Sequence, residues 1–356
     1  PVLLTKLAGY GAMIVPPKYI EEKGEDFFNL NPVGTGAFKF VSYQPKVGIN
    51  LEANADYWGG APKLSELEYR FITEPATAVA ELQAGRVDIV IPPIIPIGMI
   101  PVIEADDNLD IVSVPGPTVD ALRFNTRDGI TADPRVRKAI IMAVDRKTIV
   151  DSILAGQGAE IATFQSALSF GHDPELAPLP YDPEAAKALL AEAGVAAGSP
   201  LQIDIRGNDA TMNEVAQVVA SFLQMVGLNA TIQPYETNVL LNDIIPQGKT
   251  GAMFQQKWGG WTFDYDNTAY SMYHSGEKWN PYEKDETLDA LLESQRPLTD
   301  RAERERILKE VGAYIADRAL ELPLYNSNAI YGVSKRVQNF TAAPDNRLKL
   351  TDVTVE

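Results

Sequence analysis

Helical spacing of apolar residues, framed by capping residues, is the clearest pattern along the chain. In "YDPEAAKALLAEAGV", Asp182 stands at an N-cap, Pro183 at the first helical position and Gly194 just beyond the end, as helix-capping preferences require. The stretch "ADPRVRKAIIMAVDRKTIV" repeats this arrangement with Asp133 and Pro134. We therefore predict helices in both stretches, and two longer ones in residues 211–226 and in "LTDRAERERILKEVGAYIADRA".

Shorter segments with the pattern of strands lie between these helices. "KFVSYQ" and "INLEAN" predict a hairpin around Lys46–Gly48, while "LSELEYRFI", "VDIVI" and "LNATIQPY" predict further strands. A helix, a glycine and a strand follow one another at Gly85, Gly194 and Gly227, an order typical of mixed α/β layers. The chain has no low-complexity linker, so we expect its lobes to be joined by strands.

The longest apolar run is "IVIPPIIPIGMIPVI", residues 89–103. Four prolines and a glycine interrupt it, and it is shorter than a membrane-spanning helix requires. We predict the end of a strand followed by an extended segment that the prolines stiffen.

Composition narrows the possible functions. The 356 residues suffice for two domains, and a net charge of −17 repels phosphate backbones, so no nucleic-acid partner is expected. The chain has no cysteine, which excludes disulfides and thiolate sites. His172 and His274 lack the spacing of metal ligands, and no phosphate-binding loop or Gly-x-Ser-x-Gly motif occurs. We therefore expect no metal site, no cofactor and no catalytic residues.

Five motifs in a fixed order resemble those of one protein family. "LNPVGTGAFKFVSYQPKVGINLEANADYWGGAPKLSELEYRFI" resembles the Asn-Pro-x-Gly-Thr-Gly turn, the strand and the Tyr-Trp pair of the extracellular solute-binding proteins of oligopeptide-type ABC importers. The segments "AVAELQAGRVDIV", "LRFNTRDGITADPRVRKAIIMAVDRKTIV", "DPEAAKALLAEAGV" and "PLYNSNAIYGVSKRVQNF" also have counterparts in that family. The chain thus resembles the family 5 solute-binding proteins, which serve oligopeptide, dipeptide and nickel importers, over nearly its whole length.

The resemblance implies an α/β fold of the two-lobed, periplasmic-binding-protein-like (type II) class, with mixed sheets and a hinged cleft. Lobe I would comprise residues 34–121 and 328–356, and lobe II residues 122–327. Residues 1–33 would be the remnant of a small extra domain and its connection, because family members normally carry a further N-terminal segment that this sequence lacks. Strands near 119–126 and 320–328 would allow the cleft to close.

The resemblance also implies a binding protein rather than an enzyme. It would capture a small solute between the lobes, such as an oligopeptide-like molecule, a sugar or an opine-like conjugate. It would then deliver that solute to an ABC permease in the membrane. We expect a monomer in the periplasm, with the solute and the permease as its partners.

The aromatic and acidic stretch "WGGWTFDYDNTAY" is the main candidate for the ligand site. The resemblance places it on a loop of the second lobe that faces the cleft. Its rings could form flat apolar walls, its glycines would let a ligand approach the backbone, and its carboxylates could accept hydrogen bonds from hydroxyl or ammonium groups. The predicted ligand-binding residues in this stretch are Trp258, Gly260, Trp261, Phe263, Asp264 and Asp266.

Trp261 stands where peptide-binding members often carry an aspartate that pairs with the ammonium group of the ligand. A tryptophan cannot neutralise that group, although a cation–π contact compensates in part, so the sequence favours a solute that stacks on the ring. Arg206, between a strand and the 211–226 helix, is predicted to bind a ligand carboxylate. Asn125, in the strand that links the lobes, is predicted to lie at the floor of the cleft.

The residues are also compatible with two alternative functions. Asp264 and Asp266 beside aromatic rings are also compatible with a glycoside-acting enzyme, whose two carboxyl groups lie about 5–9 Å apart. A chaperone-like module that holds polypeptide is the other alternative, since related folds can bind extended chains.

Overall fold

The computed structural model describes residues 2–9 and 13–356, so residues 1 and 10–12 of the predicted 1–33 remnant lie outside the described part. Strands are β1 Phe38–Gln44, β2 Gly48–Ala53, β3 Glu66–Arg70, β4 Ile89–Val90, β5 Leu109–Phe124, β6 Gly158–Ala159, β7 Ser199–Arg206, β8 Leu228–Tyr235, β9 Met253–Gly259, β10 Glu321–Ser334, β11 Val337–Gln338 and β12 Thr354–Val355. Helices are α1 Val2–Leu7, α2 Pro17–Lys23, α3 Glu25–Leu30, α4 Pro75–Gln83, α5 Ile100–Glu104, α6 Pro134–Ala143, α7 Arg146–Thr148, α8 Pro183–Glu192, α9 Ala210–Met225, α10 Thr237–Val239, α11 Tyr265–Tyr273, α12 Glu286–Ser294 and α13 Arg301–Arg318.

The described residues divide into two compact units. The large unit comprises residues 2–9 and 115–328, and the small unit comprises residues 13–114 and 329–356. The strands β5 and β10 each contribute residues to both units. Each unit is therefore built from segments that are distant in the sequence.

The large unit contains a mixed sheet in the order β10, β5, β9, β7, β8. β5 pairs with β9 in the antiparallel direction, from Thr118 opposite Gly259 to Phe124 opposite Met253. β7 runs parallel to both β8 and β9. The three parallel strands therefore end at the same edge of the sheet.

Apolar residues cover both faces of this sheet. Because side chains alternate along a strand, Leu122 and Phe124 of β5 pack with α6, α8 and α9, while Val119 and Ala121 pack with α11, α12 and α13. Two separate apolar clusters thus hold the sheet between layers of helices, as expected for an α/β protein.

The small unit has a three-stranded antiparallel sheet in the order β1, β2, β3. The predicted hairpin around Lys46–Gly48 is confirmed, with Gln44 opposite Gly48 and a left-handed φ of 65° at Lys46. A separate apolar cluster forms around α4 and α5 and includes Val90 and Ile330.

The helices predicted from capping residues are confirmed. Asp182 accepts a hydrogen bond from Ala185 N at the start of α8, and Asp133 accepts one from Arg135 N at the start of α6. α9 and α13 match the two longer predicted helices within a few residues.

The prediction for residues 89–103 is wrong in part. Ile89–Val90 form a strand, but Ile97–Met99 form a 3-10 turn and Ile100–Glu104 form α5. Pro101 lies in the first turn of α5, where proline costs no hydrogen bond. Within the described part of the chain, no helix combines the length and apolar character needed to cross a membrane.

Candidate functional site

The carboxyl ends of the parallel strands mark the candidate site in the large unit. β7 ends at Arg206, β8 at Tyr235 and β9 at Gly259. In α/β sheets, ligands bind in the crevice outside the carboxyl ends of the strands. We call this region, with the turn Gly260–Phe263 that follows β9, the carboxyl edge.

The resemblance implied a loop for residues Trp258–Tyr270, and this prediction is wrong in part. Trp258 and Gly259 belong to β9, and α11 begins at Tyr265. Asp264 starts this helix as its N-cap, because its side chain accepts a hydrogen bond from Asp266 N. Only a short turn therefore separates the strand from the helix.

This turn is held by backbone hydrogen bonds. Gly260 N donates to Pro117 O at 3.3 Å, and Phe263 N donates to Gly260 O at 2.8 Å. Phe263 has a φ of 52°, a left-handed conformation that is uncommon for a bulky residue. A Cβ on Gly260 would lie 3.6 Å from Thr268 Oγ1, so packing alone does not require glycine there. Contact of Gly260 or Phe263 with a ligand stays a prediction.

The two tryptophans beside the turn differ in their surroundings. Trp258 packs against the apolar cluster formed with α11, α12 and α13. The ring of Trp261 lies against the backbone of Gly9, where an added Cβ would come within 2.0 Å of Cζ3. Both tryptophans remain partly exposed, so each retains surface that a solute could contact.

Asp264 and Asp266 are held by arginines. Both oxygens of Asp264 accept hydrogen bonds from Arg304 at 2.7 Å, and the side chains are 3% and 4% exposed. Asp266 accepts a hydrogen bond from Arg296 Nε at 2.9 Å and is 1% exposed. Because buried charges require such partners, both carboxylates help to hold the turn and α11 in place. Their contact with a ligand stays a prediction.

Arg206 lies beside a cluster of charges at the carboxyl edge. Lys257 Nζ is 3.4 Å from Asp209 Oδ2 and 3.8 Å from Asp120 Oδ1. Burial lowers the pKa of the Arg206 guanidinium, and the nearby Asp120 and Asp209 oppose this effect. In the part of the chain that the structure describes, Arg206 Nε has no hydrogen-bond partner. Binding of a carboxylate by Arg206 stays a prediction.

Sequence reasoning missed Asp120 and Lys257, which face each other across β5 and β9. Asp120 is fully buried, and Lys257 Nζ lies 3.8 Å from its Oδ1. Burial, opposed by the charge of Lys257, raises its pKa to about 6. Asp120 lies in the strand segment "VDALRF" and Lys257 in "MFQQKW". A charged residue inside a predicted strand is a signal that could have identified both residues from the sequence.

Asn125 does not lie at the carboxyl edge. It follows Phe124, which pairs with Met253 at the opposite end of β9 from Gly259. Its Oδ1 accepts hydrogen bonds from Arg127 N and from the next residue, so the side chain organises the turn after β5. Arg206 and the aromatic turn thus lie at the same edge of the sheet, and Asn125 lies apart from them.

Among the residues described, no group of three or more His, Cys, Asp or Glu side chains could hold a metal ion. His274 Nε2 instead lies 3.1 Å from Glu293 Oε1, and its ring stacks on Tyr270.

Comparison of the sequence with known proteins finds matches among solute-binding proteins. The family model described as bacterial extracellular solute-binding proteins, family 5 Middle, matches residues 1–280. Heme-binding protein A of Haemophilus influenzae is 27% identical over 320 residues, 88% of this chain and 58% of that protein. Di/tripeptide-binding protein 2 of Pseudomonas aeruginosa is 27% identical over 335 residues, 90% of this chain and 61% of that protein. The chain spans about three fifths of the length of these relatives.

Solved structures agree on the fold. The substrate-binding protein CtaP of an ABC transporter from Listeria monocytogenes superposes with a TM-score of 0.88 at 23% identity, over 96% of this chain and 71% of that one. The periplasmic binding protein DppA from Helicobacter pylori, in complex with a peptide, superposes with a TM-score of 0.79 at 23% identity, over 99% of this chain and 70% of that one. The predicted α/β fold of the periplasmic-binding-protein class is confirmed.

Proposed function

We propose that this chain, which belongs to the bacterial extracellular solute-binding proteins of family 5, is the solute-binding component of an ABC importer. It would act outside the cytoplasm, in the periplasm, and pass its solute to a membrane permease. The observation that supports this proposal within the large unit is that the aromatic turn and Arg206 lie at the same carboxyl edge. That combination offers a stacking surface and a cation at the position where α/β sheets bind ligands.

In this proposal each group at the carboxyl edge has a separate task. Trp261, with the exposed part of Trp258, contacts the flat or apolar part of the solute. Arg206 binds a carboxylate of the solute, because a planar guanidinium can donate two parallel hydrogen bonds to it. Lys257 lies close to Asp120 and Asp209 and offsets part of their negative charge, while Arg206 Nε stays available to the solute.

The chemistry of the edge favours a peptide-like or opine-like carboxylate over a neutral sugar. The relatives are described as binding heme, di- and tripeptides and, for a protein of Salmonella 26% identical over 98% of this chain, glutathione. All of these molecules carry carboxylates. Because Trp261 replaces an acidic anchor, we propose that the solute is held by stacking and by its carboxylate, with a smaller contribution from its amine.

We propose no catalytic role for Asp264 and Asp266. A glycoside-acting enzyme needs one carboxyl group that can give up a proton and a second that can act as base or nucleophile. Here both carboxyl groups are buried and accept hydrogen bonds from arginines, so their oxygens are already occupied within the protein. Hydrolysis of a glycoside that is lost in Asp264→Asn would contradict this view.

Calorimetric titration of the chain with dipeptides, tripeptides, glutathione, opines and sugars tests the proposal. We expect saturable binding of one carboxylate-containing solute at one site per chain. Arg206→Met should weaken that binding by about 10- to 100-fold, as loss of a hydrogen-bonded charge implies. Arg127→Met is the matched control, since Arg127 is exposed and paired with Asp128. Equal affinity in the Arg206 variant would remove Arg206 from the site.

A further inference from the structure

A cavity of about 230 Å³ lies within the large unit and shares no lining residue with the carboxyl edge. Its walls come from α6, α7, α13, the start of β10 and the irregular segment 162–179. Its volume is several times the roughly 30 Å³ that one water molecule occupies in the liquid. The cavity is therefore large enough for a small organic molecule.

Arg146 lines this cavity and is 3% exposed. Its Nη2 donates to Leu179 O, while Nε and Nη1 have no hydrogen-bond partner among the described atoms of the chain. The neighbouring Asp145 accepts hydrogen bonds from Thr148 N and Thr148 Oγ1. Glu160, whose charge also acts on Arg146, is exposed and does not pair with Nε or Nη1. A buried guanidinium with unpaired N–H groups is costly, and an anion is the partner that would compensate it.

The remaining walls determine what kind of anion fits. Apolar side chains form most of the surface around Arg146, and they are Ile141, Ala162, Leu176, Ala177, Leu179, Ala313, Ile315, Ala316 and Pro323. Such a lining suits an aliphatic chain and does not suit a highly hydrated ion such as sulfate. We propose that this cavity binds a small carboxylic acid with a short apolar tail, whose carboxylate is held by Arg146.

The other charged groups of the cavity leave this role to Arg146. Lys138 Nζ lies 3.1 Å from Asp317 Oδ1, so this pair is internally neutral. Glu321 also lines the cavity, but its oxygens accept hydrogen bonds from Thr163 Oγ1, Phe164 N and Tyr273 OH. The carboxylate of the ligand would therefore point toward Arg146 and away from Glu321.

Saturation-transfer NMR with butyrate as the probe tests this inference. We expect transfer from the protein to the butyrate methyl protons, and none to butylamine, which has a similar tail and the opposite charge. Arg146→Met should weaken butyrate binding by more than about tenfold. Lys147→Met is the matched control, because it removes the same charge one residue away at a site that is 71% exposed.

Ala316→Leu is a second variant, which reduces the volume of the cavity and keeps Arg146. It tests the site even if Arg146→Met fails to fold. Loss of the butyrate signal in Ala316→Leu and Arg146→Met, with retention in Lys147→Met, supports the site. Absence of butyrate binding to the unmodified chain would overturn the inference. So would binding that persists in both variants, or equal binding of butylamine. Because Arg206 at the carboxyl edge is also proposed to bind carboxylates, the same comparison is made in the Arg206→Met background, where butyrate binding to the cavity should persist.

Discussion

At the scale of single residues, the proposed solute contact depends most on Trp261 and Arg206. Trp261 follows directly after the turn glycines and packs on one side against the backbone of Gly9. Arg206 ends a strand and lies close to Asp120 and Asp209, two carboxylates that also lie near Lys257. The sequence predicted a role for both residues, because an aromatic residue after glycines and an arginine between a strand and a helix are local signals. It missed Asp120 and Lys257, whose proximity depends on the pairing of β5 with β9.

Replacement of Trp261 by alanine tests the stacking role. We expect the affinity for the solute to fall by about 10- to 100-fold, because a buried aromatic anchor contributes roughly 2 kcal/mol or more to binding. The melting temperature should change little, since the ring is partly exposed. Trp58→Ala serves as the control, because Trp58 is 82% exposed and lies in the small unit. Equal affinities in the two variants would exclude Trp261 from the site.

Asp120 predicts a specific dependence of stability on pH. Its pKa is raised from 3.8 to about 6 in the folded chain, so between these pH values the folded state holds the proton more often than the unfolded state. The free energy of unfolding should therefore fall as pH rises through this window. Over the whole titration, the difference between the folded and unfolded pKa values lowers the free energy of unfolding by about 3 kcal/mol.

Urea denaturation of the chain and of Asp120→Asn at pH 4 and pH 7 measures this effect. The asparagine cannot ionise, so the variant should gain about 2 kcal/mol relative to the unmodified chain between pH 4 and pH 7, because the carboxyl group of the unfolded chain is already partly ionised at pH 4. Parallel pH profiles for the two proteins would show that Asp120 titrates normally in the folded state.

At the scale of elements, the capped helices were predictable and α11 was not. α6, α8 and α9 each combine an aspartate cap with a regular apolar stripe, and these local features suffice to define a helix. α11 reads "YDNTAYSMY", a mixture of polar and aromatic residues without strong helix formers. Tertiary contacts define it instead, since Asp264 caps it while paired with Arg304 of α13.

The pair of Asp264 and Arg304 predicts a large effect on stability. Arg304→Met would leave a carboxylate that is 3% exposed without its cation, and we expect the free energy of unfolding to fall by about 3–5 kcal/mol. Arg306→Met on the same helix should cost less than about 1 kcal/mol, because its pair with Glu310 is exposed. Denaturation midpoints measure both changes.

Combining Arg304→Met with Asp264→Asn should recover part of the loss, since the double variant no longer buries an unpaired charge. If the single Arg304 variant is as stable as the Arg306 variant, the buried pair does not hold α11 in place.

At the scale of the whole molecule, the order of motifs predicted the fold, while the chemistry of the site depended on the structure. Five motifs in family order were sufficient to predict an α/β solute-binding fold, because glycine turns and capped helices recur at positions that the fold requires. The charged cluster of Asp120, Asp209 and Lys257 joins three elements that are distant in the sequence. The arginine partners of Asp264 and Asp266 are equally distant. No local pattern therefore revealed that these carboxylates are already paired.

The central claim is that a carboxylate-containing solute binds at the carboxyl edge of the large unit. A crystal structure of the protein with its bound solute tests this claim most directly. We predict solute density within about 4 Å of the Trp261 ring, with a carboxylate at hydrogen-bonding distance from Arg206. Well-defined solute density that touches neither residue would contradict the account.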